Sequence, residues 1–242
     1  MLAVATAGAA DPHPYPLQVA AGSRLLLAAK INGRPVDALL DSAAETTLLD
    51  WQFAAALHLS HGQTVAVVDL SDVGRRLLHR RIDAILGREI FDAARLTIDI
   101  DERQISVARG GDAPRGVKLD LVSEHGIETI PVRVENGPAV RATLDLGNGA
   151  DVLISKAYAE RMRFITDGRV VASNSGGGLG GKTVRQIVTL QSIDIAGRRF
   201  ESVRAAVDPQ PSASDVNIGV KILRHFRITT DFKERAVWLD PR

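Results

Sequence analysis

Two stretches of the chain share one arrangement. In "ALLDSAAETTLL" (38–49) and "ATLDLGNGADVLI" (142–154) an apolar run ends on an aspartate, Asp41 or Asp145, and a turn of small residues follows. A carboxylate at the end of a buried strand is costly unless it is paired, hydrogen-bonded or put to use. Two such carboxylates brought together cannot both ionise easily, so they share a proton and one pKa is pushed up. The pair can then take a proton from a water molecule while giving one to a carbonyl oxygen. That is hydrolysis with neither a metal nor a covalent intermediate.

A second stretch, "SGGGLGGKTV" (175–184), fits the phosphate-cradling pattern G-x-x-x-x-G-K-[ST] from Gly176 through Gly181 and Lys182 to Thr183. A phosphate loop needs a helix behind it, so that successive backbone N–H groups point at the phosphates. The following "TVRQIVTLQSIDIAG" is rich in β-branched residues, has no helical period, and leaves fewer than 60 residues for the rest of a nucleotide domain. No nucleotide is expected. Gly176, Gly177, Gly178, Gly180 and Gly181 read instead as the mobile tip of a hairpin, glycine-rich because a closing loop needs backbone freedom. The remaining chemistry is sparse. Cysteine is absent, and the six histidines are dispersed. His58 and His61 share a predicted helix end without a carboxylate cluster at ligand spacing, so neither a metal nor a cofactor is expected. Ser175 has no nucleophile setting, and Ser155 reads as a helix cap.

The elements that position the aspartates come in two copies. "INGRPVDALLDSAAETTLLD" (31–50) lies over "ENGPAVRATLDLGNGADVLI" (135–154), 104 residues apart, with Asn32, Gly33, Val36, Ala38, Leu40 and Asp41 on identical residues. "ILGREIFDAARLTIDIDERQISV" (85–107) lies over "NIGVKILRHFRITTDFKERAVWL" (217–239) at a separation of 132, matching Gly87 to Gly219, Thr97 to Thr229 and Asp99 to Asp231. The second copy therefore holds 28 extra residues between its matched blocks, and they include the glycine run. "DALLD", "VAVVDL", "LTIDI", "RATLDL", "RQIVTLQSIDI" and "AVWLD" read as strands bounded by turn residues. Two helices interrupt them, "WQFAAALHL" capped by Asp50 and "KAYAERM" capped by Ser155. Asp99 and Asp231 read as strand ends before tight turns. "RGGDAPRG" (109–116) is the expected joint.

Composition sets the outer bounds. A chain of 242 residues, 45% hydrophobic, can bury one large core or two modest ones. Thirty basic and 29 acidic residues scattered along it give a net charge of +1, which argues against nucleic acid as a partner. No apolar run reaches the roughly 18 residues that span a bilayer, so no integral membrane association is expected. "MLAVATAGAADPHPYP" resembles the back half of a secretory signal, and the protein is expected to be exported, periplasmic or secreted.

At these residues the chain resembles the aspartic proteases, specifically the retropepsin-like and pepsin-like bacterial members. Their pattern is two apolar residues before Asp-Thr/Ser-Gly-Ala/Ser, and later in each lobe two apolar residues before Gly. "LLDSAA" and "TLDLGN" stand at the first position, "AILG" (84–87) and "VNIG" (216–219) near the second. The resemblance implies an all-β, bilobal, pepsin-like fold with pseudo-two-fold related lobes and a few short helices. It also implies a catalytic pair of Asp41 and Asp145, supported by Ser42, Ala43, Gly147 and Asn148, with Gly87 and Gly219 as the glycines of the second motif.

The implied organisation is an N-terminal segment and export-signal remnant (1–24), a first lobe (25–108), a linker (109–116) and a second lobe (117–242). In the family a hairpin flap closes over the bound peptide; here the first lobe is expected to lack one or keep it very short, and the second carries the glycine-rich flap. There are departures. Ala43 replaces a glycine, and Leu146 replaces the Thr or Ser whose hydroxyl braces the pair across the lobes, leaving Ser42 to brace from its side. Asn148 is expected to reach the Asp145 carboxylate with its amide. The resemblance implies an endopeptidase acting on an extended peptide or protein through a water held by the two aspartates. The alternative is an inactive relative that keeps the cleft as a peptide-binding or protein-binding module.

Overall fold

The computed structural model describes residues 4–5, 14–57, 66–108, 113–166, 168–210 and 214–242. Most of the predicted export segment, His58 and His61, and the first half of the predicted joint lie outside the described residues.

The apolar runs become strands of two sheets, one of 12 strands and one of 8. "RLLLAAKI" (Arg24–Ile31) is covered along one face and, on the other, only at Leu26, with Ala28 and Lys30 exposed. Leu25, Leu27, Ala29 and Ile31 enter the main core, and Leu26 joins Leu39, Ile85, Leu70, Val73 and Leu78 in a smaller cluster behind the sheet.

Around each aspartate the order of elements is the same. The strand Arg34–Leu40 ends on Asp41 and pairs in parallel with Ala84–Leu86, Ala38 beside Ala84. The strand Ala139–Leu144 ends on Asp145 and pairs in parallel with Val216–Ile218, Ala142 beside Val216. These registers reproduce the separations of 104 and 132 found between the aligned stretches of the sequence. Next, Leu48–Asp50 runs antiparallel to Ala84–Leu86 and parallel to Ala66–Val68. Val152–Ser155 does the same with Val216–Ile218 and Arg198–Asp208. The closing strands of the two halves stand side by side. Leu96–Asp99 pairs antiparallel with Phe226–Asp231, and the equivalent residues Thr97 and Thr229 face each other with hydroxyls 3.3 Å apart.

Both expected helices form. Asp50 Oδ1 accepts from the Gln52 N–H at the start of Trp51–Ala56, and Ser155 Oγ accepts from the Tyr158 N–H at the start of Lys156–Arg161. Asp99 and Asp231 cap their turns as expected, accepting from the N–H groups of Glu102 and Glu234. Four helical pieces were not expected: Ala21–Ser23, Arg88–Ala93, Val220–Leu223, and Ser71–Val73 continuing into wider turns over Gly74–Leu78. Each is too short to display a 3.6-residue period of its own.

The glycine run does form a hairpin. Val170–Gly178 and Gly181–Ile195 pair antiparallel about Leu179–Gly180, so Lys182 and Thr183 begin a strand rather than a helix. In the first half the interval from Trp51–Ala56 to Ala66–Val68 contains residues 58–65, which lie outside the described residues. After Ala66–Val68 the first half places the helical segment 71–78.

Candidate active site

Each aspartate is held by its own loop. The Asp41 N–H donates to Leu86 O at 3.0 Å, and the Asp145 N–H to Ile218 O at 3.1 Å, which continues the parallel pairing into the loops. The Ala43 N–H donates to Asp41 Oδ1 at 2.9 Å. On the other side the Gly147 and Asn148 N–H groups donate to Asp145 Oδ1 at 2.8 and 2.9 Å. The second-motif glycines are the floor of these loops. A Cβ on Gly87 would come within 2.6 Å of the Thr46 carbonyl, and one on Gly219 within 2.3 Å of Ala150 O. A side chain at either position would push an aspartate loop outward.

The two loops meet. Gly147, whose N–H bonds to Asp145, lies against the carboxyl group of Asp41, where a Cβ would fall 2.4 Å from both Cγ and Oδ2. Ser42 is buried and crosses between the halves. Its hydroxyl donates to Leu144 O at 2.6 Å and accepts from the Leu146 N–H at 3.0 Å. Leu146 is fully buried and has no hydroxyl to return the bond, so the side-chain brace is one-sided. Ala43 does not take a positive φ, and its methyl therefore brings no backbone strain.

Burial and proximity set the charge state. Asp41 is pushed up from an ordinary 3.8 to about 7, first by burial and then by the charge of Asp145, against the N–H groups of Ala43 and Ala44 and the charge of Arg24. Asp145 is also raised, by burial, against the bonds from Asn217, Gly147 and Asn148 and the charge of Arg24. The pair titrates as a unit and holds a proton well above the usual carboxylate range.

Two residues around the pair were missed from the sequence. Asn217 Nδ2 donates to Asp145 Oδ2 at 2.6 Å, and Asn217 Oδ1 in turn accepts from Asn148 Nδ2 at 2.8 Å. The expectation for Asn148 is thereby corrected. Its backbone reaches Asp145, whereas its amide orients Asn217, because the side-chain oxygen is already bound to the Ala150 N–H. The signal was present in "VNIG", whose Asn217 stands where the first copy has Ile85. The second residue is Arg24, whose charge acts on both aspartates; no motif flagged it.

A cleft of about 490 Å³ opens over the pair. Leu39, Leu48, Val73, Leu77 and Ile85, which pack as one cluster, line it together with Arg24, Arg185 and Glu45, and so do Gly177, Gly178 and Leu179 of the hairpin tip. The tip is tied to the first half, since Arg76 Nη2 donates to Gly178 O at 2.9 Å. The five glycines divide into two groups. A Cβ on Gly176 would meet Arg185 Nη1 at 2.6 Å, and one on Gly177 would meet Gly181 O at 1.9 Å. Nothing lies within 4 Å of a Cβ on Gly178, Gly180 or Gly181, so close approach accounts for Gly176 and Gly177, and a φ of 93° for Gly181. Among the described residues no group of three or more His, Cys, Asp or Glu could hold a metal, and no helix is long and apolar enough to cross a membrane.

Comparison with known proteins bears on this site. No curated protein matches the chain. A solved structure, a retropepsin-like aspartic protease from Rickettsia conorii, is similar at 19% identity and a TM-score of 0.40, over 51% of this chain and 88% of that one. A family model described as aspartyl protease matches residues 27–85 and 130–222, more than half of the chain. The first segment contains Asp41 and its loop, the second Asp145, Asn217 and Gly219, and the chain belongs to the aspartyl protease family.

Proposed function

We propose that the protein is an aspartic endopeptidase in which Asp41 and Asp145 together hold the attacking water. The observation that carries this reading is the contact of Gly147 with both aspartates, a backbone bond to one carboxyl and direct packing under the other. The charge of Asp145 raises Asp41 on top of burial, and two carboxyls so coupled share a proton. The ionised member draws a proton from the water as it attacks a peptide carbonyl, and the protonated member donates to the carbonyl oxygen. Asn217 and the N–H groups of Gly147 and Asn148 favour the anion on Asp145 while the pair remains desolvated.

The substrate is an extended peptide lying through the cleft beneath the hairpin of 170–195. The apolar wall of Leu39, Leu48, Val73, Leu77 and Ile85 supports an apolar side chain next to the scissile bond. On this reading the halves 25–108 and 117–242 are copies of one unit, each giving one aspartate. A peptide-binding module without hydrolysis is the competing reading, and the brace left one-sided by Leu146 favours it. Cleavage of an unfolded protein, measured from about pH 3 to 8, separates the two. The expected result is a bell-shaped profile whose alkaline limb falls near neutrality, abolished in Asp41→Asn and in Asp145→Asn. Activity surviving both substitutions removes the dyad. A silent wild type that still binds peptide establishes the module.

A further inference from the structure

Arg24 begins the strand Arg24–Ile31, 17 residues before Asp41, and beyond the charge it sets against burial at both aspartates the dyad chemistry gives it no task. Its side chain follows a channel made by two glycines from different halves. A Cβ on Gly149 would lie 3.3 Å from Arg24 Cγ, and one on Gly22 would fall 2.4 Å from Nη1. Arg24 Nε is buried without a hydrogen-bond partner, and among the described residues Arg24 has no ion pair. A buried guanidinium donor left open beside two aspartates calls for a reason, since such groups are almost always satisfied in folded proteins.

The surroundings supply one. Beyond Arg24 the cleft continues into a second cavity of about 470 Å³, where Arg76, His79, Arg185, Arg204 and Lys221 join it. The acid that lines this cavity, Asp151, is 3.5 Å from Lys221 Nζ. Arg76 is engaged by Asp72 at 2.6 Å, and Arg185 by Asp208 at 2.5 Å. Arg24 and the exposed Arg204 are left, cationic and without an ion pair among the described residues. The second cavity therefore has surplus positive charge at Arg24 and Arg204, whereas Leu39, Leu48 and Ile85 line only the cleft over the pair.

We propose that Arg24 is the anchor of a carboxylate subsite, with Arg204 at its outer edge, so that the enzyme selects peptides carrying a carboxylate a few residues from the scissile bond. The two Nη groups of a planar guanidinium take both oxygens of a carboxylate, and the half-buried position strengthens the contact. The carboxylate is either an Asp or Glu side chain or the free end of a peptide. This rests on the reading of the cleft as a peptide site.

Peptides that differ only in Glu or Gln at successive positions on each side of an apolar residue, each with a free or an amidated C-terminus, test the subsite. Wild type is expected to favour Glu by about tenfold or more in kcat/KM at one position. A preference confined to free C-termini identifies the terminal carboxylate instead. In Arg24→Gln the ratio falls to about one whatever happens to the absolute rates, Arg24→Lys keeps part of it, and Arg204→Gln lowers it less; a merely structural arginine would move both peptides equally. The wild-type ratio also falls with added salt, a readout that needs no variant. Equal cleavage of all forms by wild type overturns the subsite and leaves the hydrolase standing. If wild type cleaves none of them, anisotropy of the same labelled peptides on Asp41→Asn protein decides. An Arg24-dependent preference there keeps the subsite and removes the hydrolase, and equal binding or none overturns the subsite.

Discussion

Gly147 joins the two aspartates through one residue: its N–H donates to Asp145 Oδ1 at 2.8 Å, and its α-carbon faces the Asp41 carboxyl so closely that a Cβ would lie 2.4 Å from Oδ2. Gly147→Ala must displace the Asp41 carboxyl or the Asp145 loop. Peptidase activity is expected to drop about a hundredfold or more, as a misplacement of about 1 Å in a reacting group does. Stability should fall by only about 1–3 kcal/mol, the ordinary cost of overpacking. Initial rates alongside a urea melt check both numbers, and a variant with wild-type kcat would contradict the contact.

Ser42 carries the cross-brace alone, with one bond given to Leu144 O and one received from the Leu146 N–H. Ser42→Ala leaves a buried carbonyl and a buried N–H unpaired. The expected loss is about 3 kcal/mol, read from urea or thermal unfolding. A change below about 1 kcal/mol would remove Ser42 as a brace between the two loops.

The raised pKa of Asp41 makes stability depend on pH with a definite sign. Because the folded value is about 7 and the ordinary value 3.8, the folded protein holds this proton more tightly than the unfolded chain. The stabilising contribution is therefore complete below the unfolded value and is lost as pH rises through the folded one. Asp41→Asn removes that loss. The variant is expected to match wild type at about pH 4 and to exceed it at about pH 8 by up to about 4 kcal/mol. Denaturation midpoints at the two pH values test the crossover, and Asp145, raised in the same direction, supplies the dependence that remains.

Asn217 lowers the pKa of Asp145 through its amide, against the larger effect of burial. Replacing it by Leu, which keeps similar bulk, lets burial act unopposed at that oxygen. The acid limb of the rate profile, where the pair first loses a proton, is expected to move to higher pH while the fold persists. An unchanged acid limb would remove Asn217 from the electrostatics of the pair.

The hairpin tip is tied down by the bond from Arg76 to Gly178 O, while Arg76 Nε is itself oriented by Asp72 at 2.6 Å. Arg76→Ala frees the tip. Limited proteolysis within residues 176–181 should accelerate, and KM should rise about threefold or more with a smaller change in kcat, because the lost bond belongs to cover rather than to chemistry.

Much of this site is written in the sequence, because it is built by local rules. An apolar strand running into Asp and then into small residues makes a buried strand end with a tight loop wherever it occurs. The two separations of 104 and 132 reappear as strand registers at Ala38–Ala84 and Ala142–Val216. The helix caps at Asp50 and Ser155 and the hairpin at 170–195 follow from the same kind of local signal. The short helices after Gly87 and Gly219 were not legible, since four to six residues cannot carry a period.

What the sequence by itself determined is that two similar stretches, about Asp41 and about Asp145, each end an apolar strand on an aspartate, and which glycines lie behind it. Only the tertiary structure decided what surrounds the pair. Asn217 supports Asp145 across 72 residues of chain, Ser42 reaches Leu144 across 102, and Arg24 lies in a channel between Gly22 and Gly149. The physical reason is that desolvation and charge act through space. The proton shared by Asp41 and Asp145 is set by which distant donors and cations the packed halves bring within a few ångströms, and no spacing along the chain encodes that distance.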